Sequence, residues 1–372
     1  MIFRKHRKML YAVLFLAACC ALAAYAVPRL PRFGKLPEGE RLSRIQRSPH
    51  YRGDAFHNLE PTPSFTGEGG QFSALAEYFF APKQRLRPAA PLPVIATDLK
   101  ALDPRIDLIV WLGHSSCYLQ LDGKRILLDP VFGDHASPFS FSTKAFPGEY
   151  PYSAASMPPI DLLLITHDHW DHLEHPTLLA LKDTVAQVVC PLGVGAHLER
   201  WGYAEDTIVE GDWFDTLTAG DLRIHFTPAR HFSGRTLVRN KSLWTGFVLE
   251  SGKRRIYISG DGGYGRHFAD AAERFKGFDL AILENGQYDK NWRYVHMAPE
   301  ETATAAADLR AKAVLPVHNS RFSIANHAWD DPLIRLRKAS AGKNFRLLTP
   351  IIGQVIPLDA ENQTLDYWWE GR

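Results

Sequence analysis

The sequence predicts an α/β fold in which two β-sheets pack together under outer helices, preceded by an N-terminal membrane-anchor helix. Three observations carry this. From Asp107 onward, short apolar runs alternate with turns and helix-like stretches. The early runs are joined by hairpin-length connections and the later ones by helix-length connections. Several of the runs end directly at His or Asp, which places polar chemistry at strand ends.

The N-terminus comes first. Arg4-Lys5-His6-Arg7-Lys8 precedes an uncharged run from Met9 to Val27. As a helix this run spans roughly 28 Å, about one hydrocarbon core. Its length favours an uncleaved anchor over a cleaved signal, whose apolar region is shorter. Ala24-Tyr25-Ala26 also fits a cleavage site, and Leu16-Ala17-Ala18-Cys19 a bacterial lipoprotein box. Arg29, Arg32, Lys35, Arg41, Arg44 and Arg47 follow the run, so both flanks are basic and charge assigns no orientation. A bacterial envelope protein with a single span is the resulting expectation.

Residues 28–105 are rich in Pro, Gly and Arg and weakly periodic, as expected for a linker and an irregular arm with one short helix at Gln71–Phe80. The aromatics of this arm (Phe56, Phe65, Phe72, Tyr78, Phe79 and Phe80) read chiefly as core, with a substrate wall or membrane-facing patch as the other use.

Residues 106–372 form the expected catalytic domain. Its strand candidates are Leu108–Leu112, Cys117–Leu121, Arg125–Leu128, Leu162–Ile165, Gln187–Cys190, Leu222–Phe226, Leu243–Leu249, Arg255–Ile258, Leu280–Leu283 and Ala313–Val317. Its helix candidates are His175–Lys182, Val194–Trp201, Arg266–Phe275, Pro299–Leu309 and Pro332–Lys338. Pro299 suits a first helical turn, and Glu300 and Glu301 favour a helix N-terminus.

Composition narrows the function. The 372 residues hold 43 Lys and Arg against 41 Asp and Glu, with 45% hydrophobic and 23% charged residues. Four of the bases lie before Met9, so the remaining chain carries a slight excess of acid, which argues against nucleic acid as a partner. Four Cys are too few for a disulfide scaffold, and Cys117 and Cys190 sit singly in apolar runs, as small buried residues do.

The 16 His are unevenly placed. Leu162–Thr166 runs into His167-Asp168-His169-Trp170-Asp171-His172. The strand at Leu222–Phe226 leads to His231, that at Arg255–Ile258 to Asp261, and that at Ala313–Val317 to His318. Rigid strand ends on one rim can hold metal ligands accurately. Imidazole and carboxylate suit zinc and related divalent ions, and seven such groups exceed the four that one zinc takes. Two ions use the whole set: His167, His169 and His231 for the first, Asp171, His172 and His318 for the second, with Asp261 between them.

THDHWDH, PARHFSGR, SGDGGYG and PVHNSRF together resemble the metallo-β-lactamase superfamily. WLGHSS, LLDPVFGDHASP, SGR followed by LWTGFVLE, and HMAPEE resemble, within it, the N-acylphosphatidylethanolamine-hydrolysing phospholipase D branch and its bacterial relatives. The resemblance runs from about Ser48, through the HYRGDAFHN arm, to Lys338. It implies an αββα sandwich with two zinc ions at its rim, held by His167, His169, Asp171, His172, His231, Asp261 and His318. Two departures flank this set. His318-Asn319-Ser320-Arg321-Phe322 stands where relatives commonly have His-Trp-Gly-Thr-Phe, and Gly-Asp-Gly-Gly where they often have Gly-Asp-Thr-Gly.

The expected function is a membrane-anchored dinuclear zinc hydrolase, with a lipid phosphodiester cleaved in the phospholipase D sense. A zinc-dependent lactonase or esterase is the alternative hydrolase, and an inactive metal-binding scaffold the alternative of another class. Asp171 and His296 are the candidate catalytic residues, His296 as proton donor to a leaving group. His114, Arg230, Arg235, Asn319 and Arg321 are the candidate substrate contacts. The two arginines flanking His231 suit a phosphate or carboxylate. His114 and Asp129 are also candidates for orienting a ligand imidazole. His175, His197, His225, His267 and His327 read as structural.

Overall fold

The computed structural model describes residues 2–360 and 365–372; the side chains of residues 2–5 and 79, and so those of Arg4, Lys5 and Phe79 named above, lie outside the described residues. After helix α1 (Ile2–Ala26), helix α2 (Gly39–Gln46), a small hairpin of β1 (Tyr51–Arg52) and β2 (Ala55–Phe56), and helix α3 (Gly70–Phe80), the chain enters two seven-stranded sheets.

The first sheet holds β3 (Leu108–Trp111), β4 (Cys117–Leu121), β5 (Lys124–Leu128), β6 (Ile160–Leu164), β7 (Val185–Pro191) and β8 (Ile208–Gly211). Helix α4 (His175–Leu181) precedes β7 and helix α5 (Gly195–Arg200) follows it. The second sheet holds β9 (Thr216–Ala219), β10 (Leu222–Thr227), β11 (Gly246–Glu250), β12 (Arg255–Ile258), β13 (Leu280–Glu284), β14 (Ala313–Val317) and β15 (Arg346–Leu347). Helices α6 (His267–Phe275), α7 (Pro299–Asp308) and α8 (Asp331–Ala339) connect its later strands. The last strand, β16 (Val355–Pro357), returns to the first sheet beside β3.

Each sheet has three antiparallel pairings followed by three parallel ones. The strands β3, β5 and β6 of one sheet and β10, β12, β13 and β14 of the other each share one direction within their sheet. Strand alternation divides the burial. Ile256, Ile258, Leu280 and Ile282 share one face of the second sheet and enter the main core, which takes in residues of both faces of the first sheet, Ile109 and Leu119 on one and Leu127 and Leu163 on the other. Tyr257, Ala281, Leu283 and Val314 point the other way, against Phe268 and Phe275 of α6 and Ala305 and Leu309 of α7. Leu178 of α4 and Leu198 of α5 cover the outer side of the first sheet. The result is the expected αββα layering.

The ten expected strands and the expected helices form within a few residues of their anticipated bounds. Leu243 and Trp244 differ: they belong to the loop before β11, where Leu243 N–H donates to Leu192 O across to the first sheet at 2.8 Å. The edge strands β8, β9, β15 and β16 were not anticipated, because they are short and carry no sustained apolar run.

The segment between α1 and β3 wraps the molecule. Phe33 packs edge-on against Trp170 at 5.1 Å. Arg41 pairs with Glu199 and Glu210, consuming one of the cations that follow α1. Asn58 and His231 exchange two hydrogen bonds of 2.7 and 3.0 Å. Thr66 N–H donates to Asn291 O at 2.7 Å, Arg85 pairs with Asp330, and Val94 bridges Ile352. The aromatics of this segment differ in cover: Phe56 is fully buried beside Trp244, Phe65 and Tyr78 are half-buried, and Phe72 and Phe80 of α3 are exposed, which corrects the assignment of these last two to a core. A short helix lying on a surface has one face with nothing to cover it.

Candidate metal centre

The site is built from strand ends. The fully buried strand residues Leu162–Leu164 deliver Thr166, whose N–H and hydroxyl donate to the Asp129 carboxylate at 2.8 and 2.6 Å. His172 and Leu173 N–H donate to His169 O at 3.1 and 2.8 Å, folding the motif back on itself. Asp168 faces away from its neighbours and accepts from Gly234 N–H at 2.7 Å and Ser242 Oγ at 2.7 Å, with His197 Nε2 at 3.3 Å. Burial opposes its ionisation, yet these partners, His197 foremost, hold the carboxyl far below its usual range.

Three imidazoles converge. His169 Nδ1 lies 2.9 Å from His167 Nε2 and 3.1 Å from His231 Nε2. The Nδ1 of His231 faces Val295 O at 2.9 Å, which fixes the proton there and leaves Nε2 as a lone-pair donor. Burial pushes His169 down to about 4, and burial with the crowding of like imidazoles holds His167 and His231 well below their ordinary value. All three are therefore neutral donors around one point.

A second group adjoins it. Asp171 Oδ2 lies 2.9 Å from His114 Nε2 and 3.1 Å from His318 Nε2, with His172 Nε2 at 3.6 Å. His172 Nδ1 is 2.8 Å from Asp129 Oδ2, so its other nitrogen faces the site. Between the groups stands Asp261. Its Oδ2 is 3.1 Å from both His172 Nε2 and His318 Nε2, and 3.9 and 4.0 Å from His167 Nε2 and His231 Nε2. Burial alone would depress His318, but Asp261 and Asp171 raise it to about 10; burial would raise both carboxyls, yet the imidazoles hold them far below their range. The carboxylates thus demand positive charge.

The backbone is strained where these groups are set. His114, Asp129 and His318 adopt φ of +51°, +39° and +65°, a region that costs non-glycine residues energy and is tolerated where surrounding structure enforces it. Gly260 turns at φ +59°, and a Cβ there would lie 2.5 Å from Thr245 O, so the residue before Asp261 must be glycine. A Cβ at Gly262 would meet Arg230 N at 2.9 Å. This contact gives the Gly-Asp-Gly-Gly variant a local packing reason.

The donor set fits divalent cations. Among the described residues, seven imidazoles and three carboxylates lie in overlapping clusters, within each of which the candidate ligand atoms fall within 4.8 Å of one another; they include the five imidazoles and two carboxylates expected from the sequence, joined by His114, His296 and Glu284. His172 Nε2 and Asp261 Oδ1 are buried without a hydrogen-bond partner, which is costly unless something else satisfies them.

His296 stands at the edge of this cluster. Its ring is 5.0 Å from both His231 and His318, and its Nδ1 is 2.7 Å from Glu284 Oε2. It also lines a cavity of about 600 Å³ together with Ala81, Pro82, Lys290 and Arg293. Glu284 was not anticipated. It is fully buried and additionally accepts from Met297 N–H. The signal was present: Leu280–Leu283 runs into an acid just as the other strands run into His or Asp.

Of the five candidate substrate contacts, His114, Arg235, Asn319 and Arg321 are buried and Arg230 is half-buried. His114 is fully buried and donates to Asp171, orienting a carboxylate, while Asp129 takes the imidazole-orienting part. Arg235 donates to Asp168 O, Leu173 O and Arg32 O at 2.7–2.9 Å and lies 3.9 Å over the Trp170 ring. Arg230 donates to Pro61 O, Tyr264 O and the Thr62 hydroxyl, clasping the wrapping segment. Arg321 donates to Phe132 O and Gly133 O and stacks on Tyr150 at 3.2 Å. Asn319 donates to Val317 O at 3.0 Å and is buried. In each case folding commits polar atoms of the side chain to the chain itself, although His114 Nδ1, Arg235 Nε and Arg321 Nε have no partner among the described residues. His197 pairs with Asp168, and His225 with Glu250, as structural histidines do.

Comparison with known proteins gives the following. A family model described as a beta-lactamase superfamily domain matches residues 124–319. An uncharacterized protein of Mycobacterium tuberculosis is 36% identical over 328 residues, covering 87% of this chain and 88% of the relative. The mitochondrial N-acyl-phosphatidylethanolamine-hydrolyzing phospholipase D of Saccharomyces cerevisiae is 34% identical over 248 residues, covering 63% of this chain and 52% of that one. Among solved structures, a possible metal-dependent hydrolase from Veillonella parvula superimposes with a TM-score of 0.55 at 15% identity, over 68% of this chain and 99% of that one, a likeness of fold.

Proposed function

The chain belongs to the metallo-β-lactamase superfamily of metal-dependent hydrolases, and we propose that within it the protein is a membrane-anchored, dinuclear zinc phosphodiesterase acting on a lipid. The observation that carries the dinuclear reading is the position of Asp261. One oxygen approaches imidazole nitrogens of both groups, and its other oxygen is buried without a partner. His167, His169 and His231 would hold one ion, Asp171, His172 and His318 the other, and Asp261 both. When bound, such a pair lowers the pKa of a coordinated water and polarises the scissile group.

The chain's own residues set up that chemistry. Val295 O and Asp129 fix the tautomers of His231 and His172 so that Nε2 of each is a donor. His114 donates to Asp171 Oδ2 and pins its orientation. Glu284 accepts from His296 Nδ1–H and directs Nε2 of that ring to the cavity, where the doubly protonated ring would donate its Nε2 proton to a leaving oxygen. In this reading Asp171 acts within the cluster and His296 at its mouth. The lipid assignment is supported by the name of the yeast relative and by the apolar helix at the N-terminus: His6–Arg29 has a mean hydropathy of 2.3 over its best window, enough to cross a bilayer.

The test uses the full chain, purified in detergent without chelator. Metal content and turnover of bis(p-nitrophenyl) phosphate and of a panel of simple lactones are measured on one sample. Two zinc ions per chain with phosphodiester turnover is the expected result. Lactone turnover alone would overturn the phosphodiesterase reading, and a single ion per chain the dinuclear one.

A further inference from the structure

The most exposed apolar side chains of this protein outside α1 are not scattered. Among the described side chains they are Leu237 (101% exposed), Phe72 (88%), Phe80 (86%) and Phe141 (78%). Isolated exposed apolar residues need no explanation, but a set confined to one face does. Leu237 lies in the connection that follows β10 and carries His231. Phe141, stacked on Phe139 at 5.4 Å, lies in the connection that follows β5 and Asp129. Phe72 and Phe80 lie on α3, which is tied by Glu77 to Lys290 and Asn291 in the connection that follows β13. All four therefore stand on, or are fastened to, connections leaving the strand ends that form the metal-binding cluster.

The N-terminal helix emerges at the same place. Directly after α1, Trp201 Nε1–H donates to Pro31 O at 2.8 Å, Arg32 donates to Pro138 O at 2.7 Å, and Phe33 packs on Trp170 between the clustered histidines. Pro138 is three residues from Phe141. On the other side, Pro28 and Arg29 share a cleft of about 390 Å³ with Val238, the neighbour of Leu237. The helix thus leaves the domain between the two loops that carry the exposed apolar tips.

We infer that the strand-end face is a bilayer-docking surface: Leu237, Phe141, Phe72 and Phe80 dip into the lipid around the anchor, and the metal-binding cluster faces the membrane. The occupant is a lipid bilayer. The fixed anchor exit brings this face to the headgroups, and two exposed cations stand at that exit, Arg29 sharing the cleft with Val238 and Arg32 bonded to Pro138 O near Phe141. Substrate then reaches the cavity beside His296 from the membrane plane, since Ala81 and Pro82, at the end of α3, form part of its wall. This inference rests on α1 being a membrane anchor and is independent of the reaction catalysed.

The test is depth measurement on the full chain. Cys19→Ala and Cys20→Ala remove the two exposed thiols, and Cys117 and Cys190 are buried. Leu237→Cys, Phe141→Cys, Phe72→Cys and Phe80→Cys are spin-labelled one at a time, with Ile106→Cys, at the opposite end of β3, as reference. Each is reconstituted into phosphatidylethanolamine–phosphatidylglycerol vesicles, and collisions with oxygen and with a water-soluble nickel chelate are compared. The expected result is an oxygen-to-nickel ratio several-fold higher at the four tips than at Ile106. Vesicle-bound protein with all labels in water would overturn the docking face while leaving the anchor standing. Protein absent from the vesicle fraction would overturn the anchor and the docking together. Tip labels shielded from both reagents and broadened by each other would assign the face to a second copy of the chain.

Discussion

Asp129→Asn isolates the electrostatic part of the site's support. The carboxylate is buried and accepts from Thr166 N–H, Thr166 Oγ1–H and His172 Nδ1–H at 2.6–2.8 Å. Asparagine has nearly the same shape and tolerates the φ of +39°, so backbone strain is not the variable. Its oxygen keeps the Thr166 N–H bond. Its amide, placed where Oδ2 was, presents N–H to His172 Nδ1, and Thr166 Oγ1 can rotate to accept. His172 must then move its proton to Nε2, the nitrogen that faces Asp261 at 3.1 Å. The ligand lone pair is lost, in the same way that a wrong tautomer disables a catalytic imidazole. Loss of one charge-assisted bond is worth about 1.5–3 kcal/mol, and disrupted outer support of a metal ligand typically lowers affinity about 10–100-fold. The expected outcome is zinc affinity lower by that factor at the second group, read by chelator competition on the purified full chain. The protein should remain folded by near-ultraviolet circular dichroism. Zinc affinity within twofold of the native protein would refute the tautomer argument.

Three further outcomes follow from the same geometry. His169→Ala or Asp171→Ala should each remove at least one metal per chain and nearly all turnover without unfolding the protein; full activity at unchanged metal content would defeat the ligand assignment. Arg235→Ala should destabilise the fold by about 3 kcal/mol or more, because three carbonyls lose their donor and Trp170 its stacking partner, measured as a fall in thermal midpoint. Chelation should lower that midpoint in the native protein, since free metal at about 1,000 times its Kd stabilises by about 4 kcal/mol; an unchanged midpoint would show that the cluster binds no metal.

The pattern that was legible in one dimension is the one whose physics is local. An apolar run such as Leu162–Ile165 specifies a buried strand by itself, and the residue after it must leave the sheet at its end. His167, His231, Asp261 and His318 could therefore be placed at strand ends without knowing which strands are neighbours. Glu284 obeys the same rule and was missed only because an acid after a strand is commoner than a histidine.

What only the tertiary structure decided is where long polar side chains point and which apolar ones remain uncovered. Arg235 and Arg321 sit within four residues of the candidate ligands His231 and His318 in sequence, as substrate-binding arginines would. Their guanidinium groups are instead consumed by carbonyls of Arg32 and Leu173 in one case and Phe132 and Gly133 in the other, most of them 60 to 200 residues away along the chain. Phe56 and Phe72 belong to one aromatic-rich stretch, but one meets Trp244 in a core and the other meets nothing. Periodicity registers what a residue is, whereas its hydrogen-bond partners and its cover come from segments that only folding brings near.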